Sequence, residues 1–266
     1  MKLIAVDVDG TLLNSNNEIS EKTKDTLIKS GEMGHKIVIV SGRPTAGVVH
    51  LAKELAFEKY GGLLSNYNGG AITNFATGEV ISNHTLDLEL AKKILAETKN
   101  LPLEIIIPKE DYIISDRPNK FLDYERDLLK VNTEAIRGLR ENIDFSPNKI
   151  IFASEPEILE EHLPFLSDTY GSTTTQVRSQ RIYYEIMPKG LSKGNSLLEI
   201  AKYYEIDQKN IIAFGDELND ETMIEVAGVG VAMGNAVDKI KEISDYVTLS
   251  NDEDGIADYL EKFVLN

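Results

Sequence analysis

The 266-residue chain reads as an α/β protein, a doubly wound parallel-sheet core with an inserted α+β cap domain. Three observations carry that reading. Short apolar runs such as Leu3-Ile4-Ala5-Val6 and Ile37-Val38-Ile39-Val40 lack polar alternation, the pattern of strands buried on both faces. Helical periodicity stands between them, giving the strand, helix, strand order of a parallel sheet. From residue 83 to 187 the order changes to paired strands with intervening helices, and from Pro188 the first pattern resumes. The expected division is a core of residues 1–82 and 188–266 around an inserted second domain of residues 83–187.

The first strand ends abruptly in Asp7-Val8-Asp9-Gly10-Thr11. On an extended chain Asp7 and Asp9 would point to the same side, and Gly10 lets the backbone turn sharply after them. Two carboxylates about 4 Å apart at an effective dielectric near 20 repel by roughly 4 kcal/mol. A bound cation or a retained proton must compensate. Taken alone, Asp-x-Asp-Gly equally suits a capped turn. A calcium-loop frame with Asp7, Asp9 and Glu18 as ligands fails, because Leu12 stands where glycine is needed and a strand precedes it where a helix should.

The remaining elements follow in order. Residues 12–17 form a polar loop, and Ser20 caps a helix to about Met33, ended by Gly34. Residues 36–40 are a second buried strand closing at Ser41-Gly42-Arg43-Pro44, where a helix over 45–57 begins. Residues 63–66 are a third strand, with turns at Asn68-Gly69-Gly70 and Thr77-Gly78 around short strands at 71–73 and 80–81. In the insert, helices are expected over 86–98, 120–131 and 155–166. Strands are expected over 103–107, 112–115 and 149–153, and a hairpin of 172–177 with 182–187 turns at Ser179-Gln180. Ser192 then caps a helix with the stripe Leu197, Ile200, Ala201 and Tyr204. The strand 210–214 breaks into Gly215-Asp216-Glu217-Leu218-Asn219-Asp220. A helix over 221–227, a strand at 229–232, a loop at 233–236, a helix to Ile243 and a last helix over 255–263 complete the core.

Composition narrows the chemistry. The chain has no cysteine, which excludes disulfides, thiolate catalysis and Cys-based zinc sites. A formal net charge of −16 argues against nucleic acid, which is bound through basic surfaces. No apolar run approaches a membrane span or a signal-peptide core, so a cytoplasmic protein without membrane partners is expected. His35, His50, His84 and His162 lack ligand spacing and read as surface or packing residues. An anionic substrate would need a metal ion and a few placed cations to reverse the local field.

The ends of parallel strands lie together at one edge of the sheet. Topology therefore brings Asp7 and Asp9, Ser41 and Gly42, Lys193, and Asp216 with Asn219 and Asp220 into one region. Three carboxylates with neutral oxygens suit Mg²⁺ rather than zinc, and a lysine at a helix start beside a Ser-Gly corner suits phosphate oxygens. Each has a plainer reading. Ser41 could simply cap its strand end, Arg43 reads as structural, and Asp220 serves either as a helix N-terminal acid or as support for a metal site. Lys193 opposes the helix dipole, which makes its position informative.

Asp7-Val8-Asp9-Gly10-Thr11, Ser41-Gly42-Arg43, Lys193-Gly194 and Gly215-Asp216-Glu217-Leu218-Asn219-Asp220 resemble the four ordered motifs of the haloacid dehalogenase superfamily. The insert is similar to the type IIB cap of its Cof-like phosphatases. The resemblance implies a Mg²⁺-dependent phosphatase of small phosphorylated metabolites, sugar phosphates foremost. By it Asp7 would be the nucleophile, forming an aspartyl phosphate, and Asp9 the general acid and then base. The metal would be held by Asp7, the Asp9 carbonyl and Asp216, with Asp220 behind them. The phosphate would be held by groups matching Val8, Ser41, Gly42, Lys193 and Asn219. A phosphomutase resembles the same fold. A signalling receiver domain would need neither a second carboxylate after its phosphoacceptor nor an insert of about a hundred residues. Leaving-group selectivity is expected from the insert, where Arg178 and Arg181 cluster beside the hairpin turn.

Overall fold

The computed structural model describes residues 1–109 and 112–265. In chain order the strands are β1 Leu3–Val6, β2 Lys36–Val40, β3 Leu63–Asn66, β4 Ala71–Asn74, β5 Val80–Asn83, β6 Glu104–Lys109, β7 Tyr112–Ser115, β8 Asn132–Ala135, β9 Ile150–Ala153, β10 Thr174–Gln180, β11 Tyr183–Pro188, β12 Ile211–Gly215, β13 Val229–Ala232 and β14 Tyr246–Val247. They fall into two compact units, Met1–Arg43 with Val48–Ser82 and Ser192–Asn266, and Pro44–Gly47 with Asn83–Leu191. Residues 188–191, expected in the core, thus pack with the insert, as does the short segment after Arg43.

The first unit carries a sheet in the order β14-β13-β12-β1-β2-β3-β4-β5. From β14 to β3 every pair is parallel, and β4 returns antiparallel to β3. Strand β1 lies between β2 and β12, in register Leu3↔Lys36 and Leu3↔Ile211. The chain leaves β1 toward β2 and β3 and returns later on its other side, so β1 and β12 flank the switch point of the sheet, where such folds bind ligands. The continuous apolar runs are explained by burial on both faces. Ile4 and Val6 pack with Ile39, Phe214, Leu27 and Leu260, while Leu3 and Ala5 pack with Val38, Ala213, Leu197 and Ile200. Helices Glu21–Glu32 and Gly255–Phe263 cover the first face, and helices Lys193–Tyr203 and Glu221–Val226 the second. Fully burying such side chains stabilises by about 1.5–3 kcal/mol each.

The helix expected over 45–57 is broken into Val49–Glu54 and Phe57–Tyr60, with Ala56 left-handed at φ 53° between them. Gly47 and the β-branched pair Val48-Val49 give that stretch poor helix propensity. The edge strand β14 was not anticipated, because two residues carry no periodic signal.

The second unit has the order β10-β11-β9-β6-β7-β8, antiparallel except for the β7/β8 pair. One sheet face packs Ile105, Ile107, Phe152 and Ile186 under helices Leu88–Glu97 and Pro156–Tyr170; the other packs Ile106, Ile151 and Tyr183 under helix Lys120–Leu129. The edge strand β8 is polar and mostly exposed, which hid it from a hydrophobicity argument. The hairpin turns at Arg181-Ile182 rather than at Ser179-Gln180, because Gln180 pairs with Tyr183 beyond a bulge after Val177. Among the described residues no helix is long and apolar enough to cross a membrane.

Candidate active site

Strand β1 hands directly into the site. The Asp7 N–H donates to the Phe214 carbonyl at 3.1 Å as the last bond to β12, and the chain then winds into a wide turn over Val8–Leu12. The turn is closed by the Leu12 N–H on the Asp7 carbonyl (3.1 Å) and the Leu13 N–H on the Val8 carbonyl (2.9 Å). Gly10 is left-handed at φ 79°, and a Cβ there would collide with the Asp216 carboxylate. Thr11 donates to Asp216 Oδ1 at 2.7 Å. The turn at the end of β1 is thereby fitted to the end of β12.

Because the strand ends at Val6, Asp7 and Asp9 do not share one side of an extended chain as expected. Asp7 is buried, whereas the Asp9 side chain is 58% exposed. Each has its own cation. Arg43, itself buried, forks onto Asp9 with Nε to Oδ2 at 2.9 Å and Nη2 to Oδ1 at 2.5 Å. Lys193 donates to Asp7 Oδ1 and to Asp220 Oδ1, both at 2.6 Å, with its side chain 0% exposed. Arg43, read from sequence as structural, thus touches the residue expected to be the acid.

Lys193 is the first residue of its helix, and Ser192 caps that helix by accepting from the Asn195 N–H. The helix dipole and burial both oppose an ammonium there. Burial alone would push Lys193 down, but Asp220 and Asp7 hold it above the ordinary lysine value. Asp220 is fully engaged: Oδ1 takes Lys193, and Oδ2 takes the N–H groups of Asp216 (2.9 Å) and Glu217 (3.1 Å). It closes a capping box with Glu217 at the helix start, shapes the loop and orients the lysine.

Asp7, Asp216 and Asp220 each offer an oxygen within 4.8 Å of the others, and all three are buried. Against three carboxylates stands one ammonium. Burial first, and then Asp220, Asp216 and Asp9, push the Asp7 carboxyl well above the ordinary range against the pull of Lys193. Asp216 is pushed up to about 7 by burial and by Asp220 and Glu217, opposed by Thr11 and Lys193. Crowded, all-oxygen donors that resist ionisation are a set that a hard divalent cation would relieve. The carboxylate cluster includes Asp220, which the sequence reading places behind the ligands. Asp9 enters the expected ligand set only through its main-chain carbonyl, since its carboxylate is held by Arg43.

The Ser41 corner joins the site through the backbone. Ser41 Oγ accepts from the Arg43 N–H at 3.1 Å, which turns the loop toward Asp9. The turn after β3 is tied to that loop by the Asn68 N–H on the Ser41 carbonyl (3.0 Å) and the Tyr67 N–H on the Arg43 carbonyl (3.2 Å). Tyr67 and Asn68 both sit at φ 56°, and such left-handed residues cost of order 1–3 kcal/mol. Asn68 Oδ1 accepts from Asn219 Nδ2 at 3.5 Å. The run Asn68-Gly69-Gly70 signals only a turn in the sequence, and the bond to Asn219 is what brings Asn68 to the site. Val8 and Gly42 lie in the two loops with their side-chain positions buried and partly buried. Arg178 and Arg181 are exposed in the second unit, where Arg178 pairs with Glu160 and donates to the Arg181 carbonyl at 3.0 Å.

Residues 4–260 match the family described as haloacid dehalogenase-like hydrolase. Among solved structures, the chain is similar to a haloacid dehalogenase-like hydrolase from Bacteroides thetaiotaomicron, with a TM-score of 0.93 and 34% identity over 98% of both chains. It is also similar to the HAD subclass IIB sugar phosphatase BT4131, with a TM-score of 0.83 and 26% identity over 100% of both. In sequence it is 30% identical over 269 residues to the 5-amino-6-(5-phospho-D-ribitylamino)uracil phosphatase YitU of Bacillus subtilis (strain 168), covering 98% of this chain and 97% of that one.

Proposed function

The chain belongs to the haloacid dehalogenase-like hydrolases and is a phosphatase, and we propose that it is a Mg²⁺-dependent one that hydrolyses small phosphorylated metabolites, sugar phosphates foremost, through an aspartyl phosphate on Asp7. The observation that supports this most is the buried excess of negative charge, three carboxylates against Lys193 at the switch point of the sheet. Asp7, Asp216 and the Asp9 carbonyl would hold Mg²⁺, which supplies positive charge opposite the phosphoryl oxygens when bound.

The chain's own groups do the rest. Lys193 holds Asp7 by Oδ1, which aims the other oxygen, Oδ2, at phosphorus. Ser41, the Val8 and Gly42 N–H groups, Lys193 and Asn219 hold the phosphoryl oxygens. As the Asp7 oxygen bonds to phosphorus, the ester P–O bond breaks and Asp9 gives its proton to the departing alkoxide. Asp9, now a carboxylate, takes a proton from water as that water attacks phosphorus. The Asp7–phosphorus bond breaks, releasing inorganic phosphate and restoring both carboxyl groups. Arg43 fixes the rotamer of Asp9 through its two bonds.

Residues 1–43, 48–82 and 192–266 are the catalytic part in this reading, and the inserted residues 83–191 select the leaving group, with Arg178 and Arg181 as contacts. The named activities of BT4131 and YitU both concern phosphorylated polyhydroxylated carbon chains, which favours that class here. A cytoplasmic location belongs to the same reading. The test is phosphate release from a panel of hexose 6-phosphates with Mg²⁺, with Ca²⁺, and after chelation. Release with Mg²⁺ alone, inhibited by Ca²⁺, is expected. Isomerised sugar phosphate that needs a bisphosphate activator, with little free phosphate, would establish a mutase instead.

A further inference from the structure

The loop of residues 233–237, which follows β13, is bonded to both halves of the acidic site. On the β12 side, the Met233 N–H donates to the Gly215 carbonyl and the Val237 N–H to the Asp216 carbonyl, each at 3.0 Å. On the β1 side, Asn235 Nδ2 donates to the Gly10 carbonyl at 2.8 Å. Gly10 lies against the Asp216 carboxylate, and Thr11 donates to it. A single side-chain amide therefore holds the peptide joining the two residues through which the β1 turn meets Asp216.

Asn235 is itself braced. Its Oδ1 accepts from the Asn251 N–H at 3.0 Å, and Asn251 Nδ2 donates to the Leu13 carbonyl at 2.8 Å. Two carbonyls of the segment that carries Asp9 are thus held by two asparagines that are bonded to each other. Asp252 extends the strap, accepting from the Ser15 N–H at 2.8 Å and from Ser15 Oγ at 2.6 Å. With a donor and an acceptor used in opposite directions, the orientation of the Asn235 amide is set by its partners. Asn235 is exposed, so core packing does not explain its place.

We propose that Asn235, braced by Asn251, is a positioning residue that sets the spacing between the Asp7–Asp9 turn and Asp216, and with it the affinity and size selectivity of the site for Mg²⁺. This rests on the Mg²⁺-dependent reading above. Mg²⁺ demands short, near-octahedral oxygen ligands, whereas Ca²⁺ accepts longer and less regular ones. Loosening the turn should therefore weaken Mg²⁺ more than Ca²⁺, a change of ratio that a general loss of stability would not produce.

The test is calorimetric titration of the intact protein with Mg²⁺ and, separately, with Ca²⁺. The variants are Asn235→Ala and Asn235→Asp, the latter keeping the size and the acceptor for Asn251 but losing the donor to Gly10. Both should raise the Mg²⁺ dissociation constant about tenfold or more, as outer partners of metal ligands do, with little change for Ca²⁺. Asn251→Ala should shift Mg²⁺ the same way by less. Should Asn235→Ala fail to fold, Asn235→Asp and Asn251→Ala decide. Unchanged Mg²⁺ affinity, or equal losses for the two ions, overturns the proposal. Wild-type protein that takes up no Mg²⁺ overturns the parent reading and this inference with it, so the two failures are told apart.

Discussion

In the inserted unit, Lys149 meets Glu185 at 3.0 Å with side chains 4% and 5% exposed, and Arg140 meets Asp116 at 2.8 Å. In the α/β unit, Lys193 meets Asp7 and Asp220 at once, and Asp216 stands within the same cluster. Each of these two pairs in the insert sets a cation against a carboxylate, with Glu125 buried beside Tyr183 as well, whereas in the α/β unit three clustered carboxylates face Lys193. A matched buried pair resembles a strut, and replacing it by apolar residues of like volume is often neutral. An unmatched cluster resists its own ionisation, as the raised values of Asp7 and Asp216 express, and is relieved by a retained proton or by a bound cation. Burial of charge is common to both regions, and the site adds three carboxylates whose oxygens lie within 4.8 Å of one another.

The largest effect should come from the cluster itself. Asp7→Asn should lower turnover by at least about 10⁴-fold while the metal-free protein melts no lower than wild type, since one repelling carboxylate is gone. Steady-state kinetics and a thermal melt read the two halves of that outcome. A variant that is active, or that unfolds, erases the distinction between site and strut.

Lysine replacement sharpens the contrast. Lys193→Met leaves buried carboxylates without their ammonium and should cost about 3–5 kcal/mol in urea unfolding at neutral pH. The double change Lys149→Met with Glu185→Leu should cost less than Lys193→Met in the same assay and should keep activity. If the double change is as costly as Lys193→Met, the pair in the insert is more than a strut.

The pH dependence has a definite sign. Asp216 stands at about 7 against 3.8 for the free acid, so in the metal-free protein it stabilises the fold fully below about pH 4, and that contribution is lost as pH rises through about 7. Mg²⁺ competes with the proton, so its stabilisation should grow between about pH 5 and about pH 8. Melting with and without Mg²⁺ at both pH values checks it, and Asp216→Asn should abolish the Mg²⁺-dependent gain. An equal gain at both pH values would remove Asp216 from the ligands.

The smallest effect is expected in the insert. Arg178 is already engaged by Glu160 and by the Arg181 carbonyl, so Arg181→Ala should reorder activity across a panel of sugar and nucleotide phosphates more than Arg178→Ala. Hydrolysis of a small aryl phosphate should change little with either. Unaltered ranking with both places selectivity elsewhere in the insert.

What was legible from sequence follows the same division between local and distant causes. Buried strands such as Leu63–Asn66 and the helix Gly255–Phe263 announce themselves by local pattern and fall at their expected positions. So do Asp7, Lys193, Asp216 and Asp220, because strand and helix ends can be read and parallel topology gathers them. The polar edge strand β8 and the bulge that moves the hairpin turn leave no local apolar signal. Arg43 on Asp9, Asn219 on Asn68 and Asn235 on Gly10 join residues 34, 151 and 225 positions apart. No periodicity encodes such contacts; they exist only once the sheet has formed.

The most direct measurement is to trap the phosphoenzyme. Asp9→Asn protein, mixed with labelled acetyl phosphate and Mg²⁺ and quenched in acid, should carry label on the peptide containing Asp7, and the label should persist because the water lacks its base. The Asp7→Asn protein should take up none. An unlabelled Asp9→Asn protein, or label that survives the loss of Asp7, would contradict Asp7 as the nucleophile.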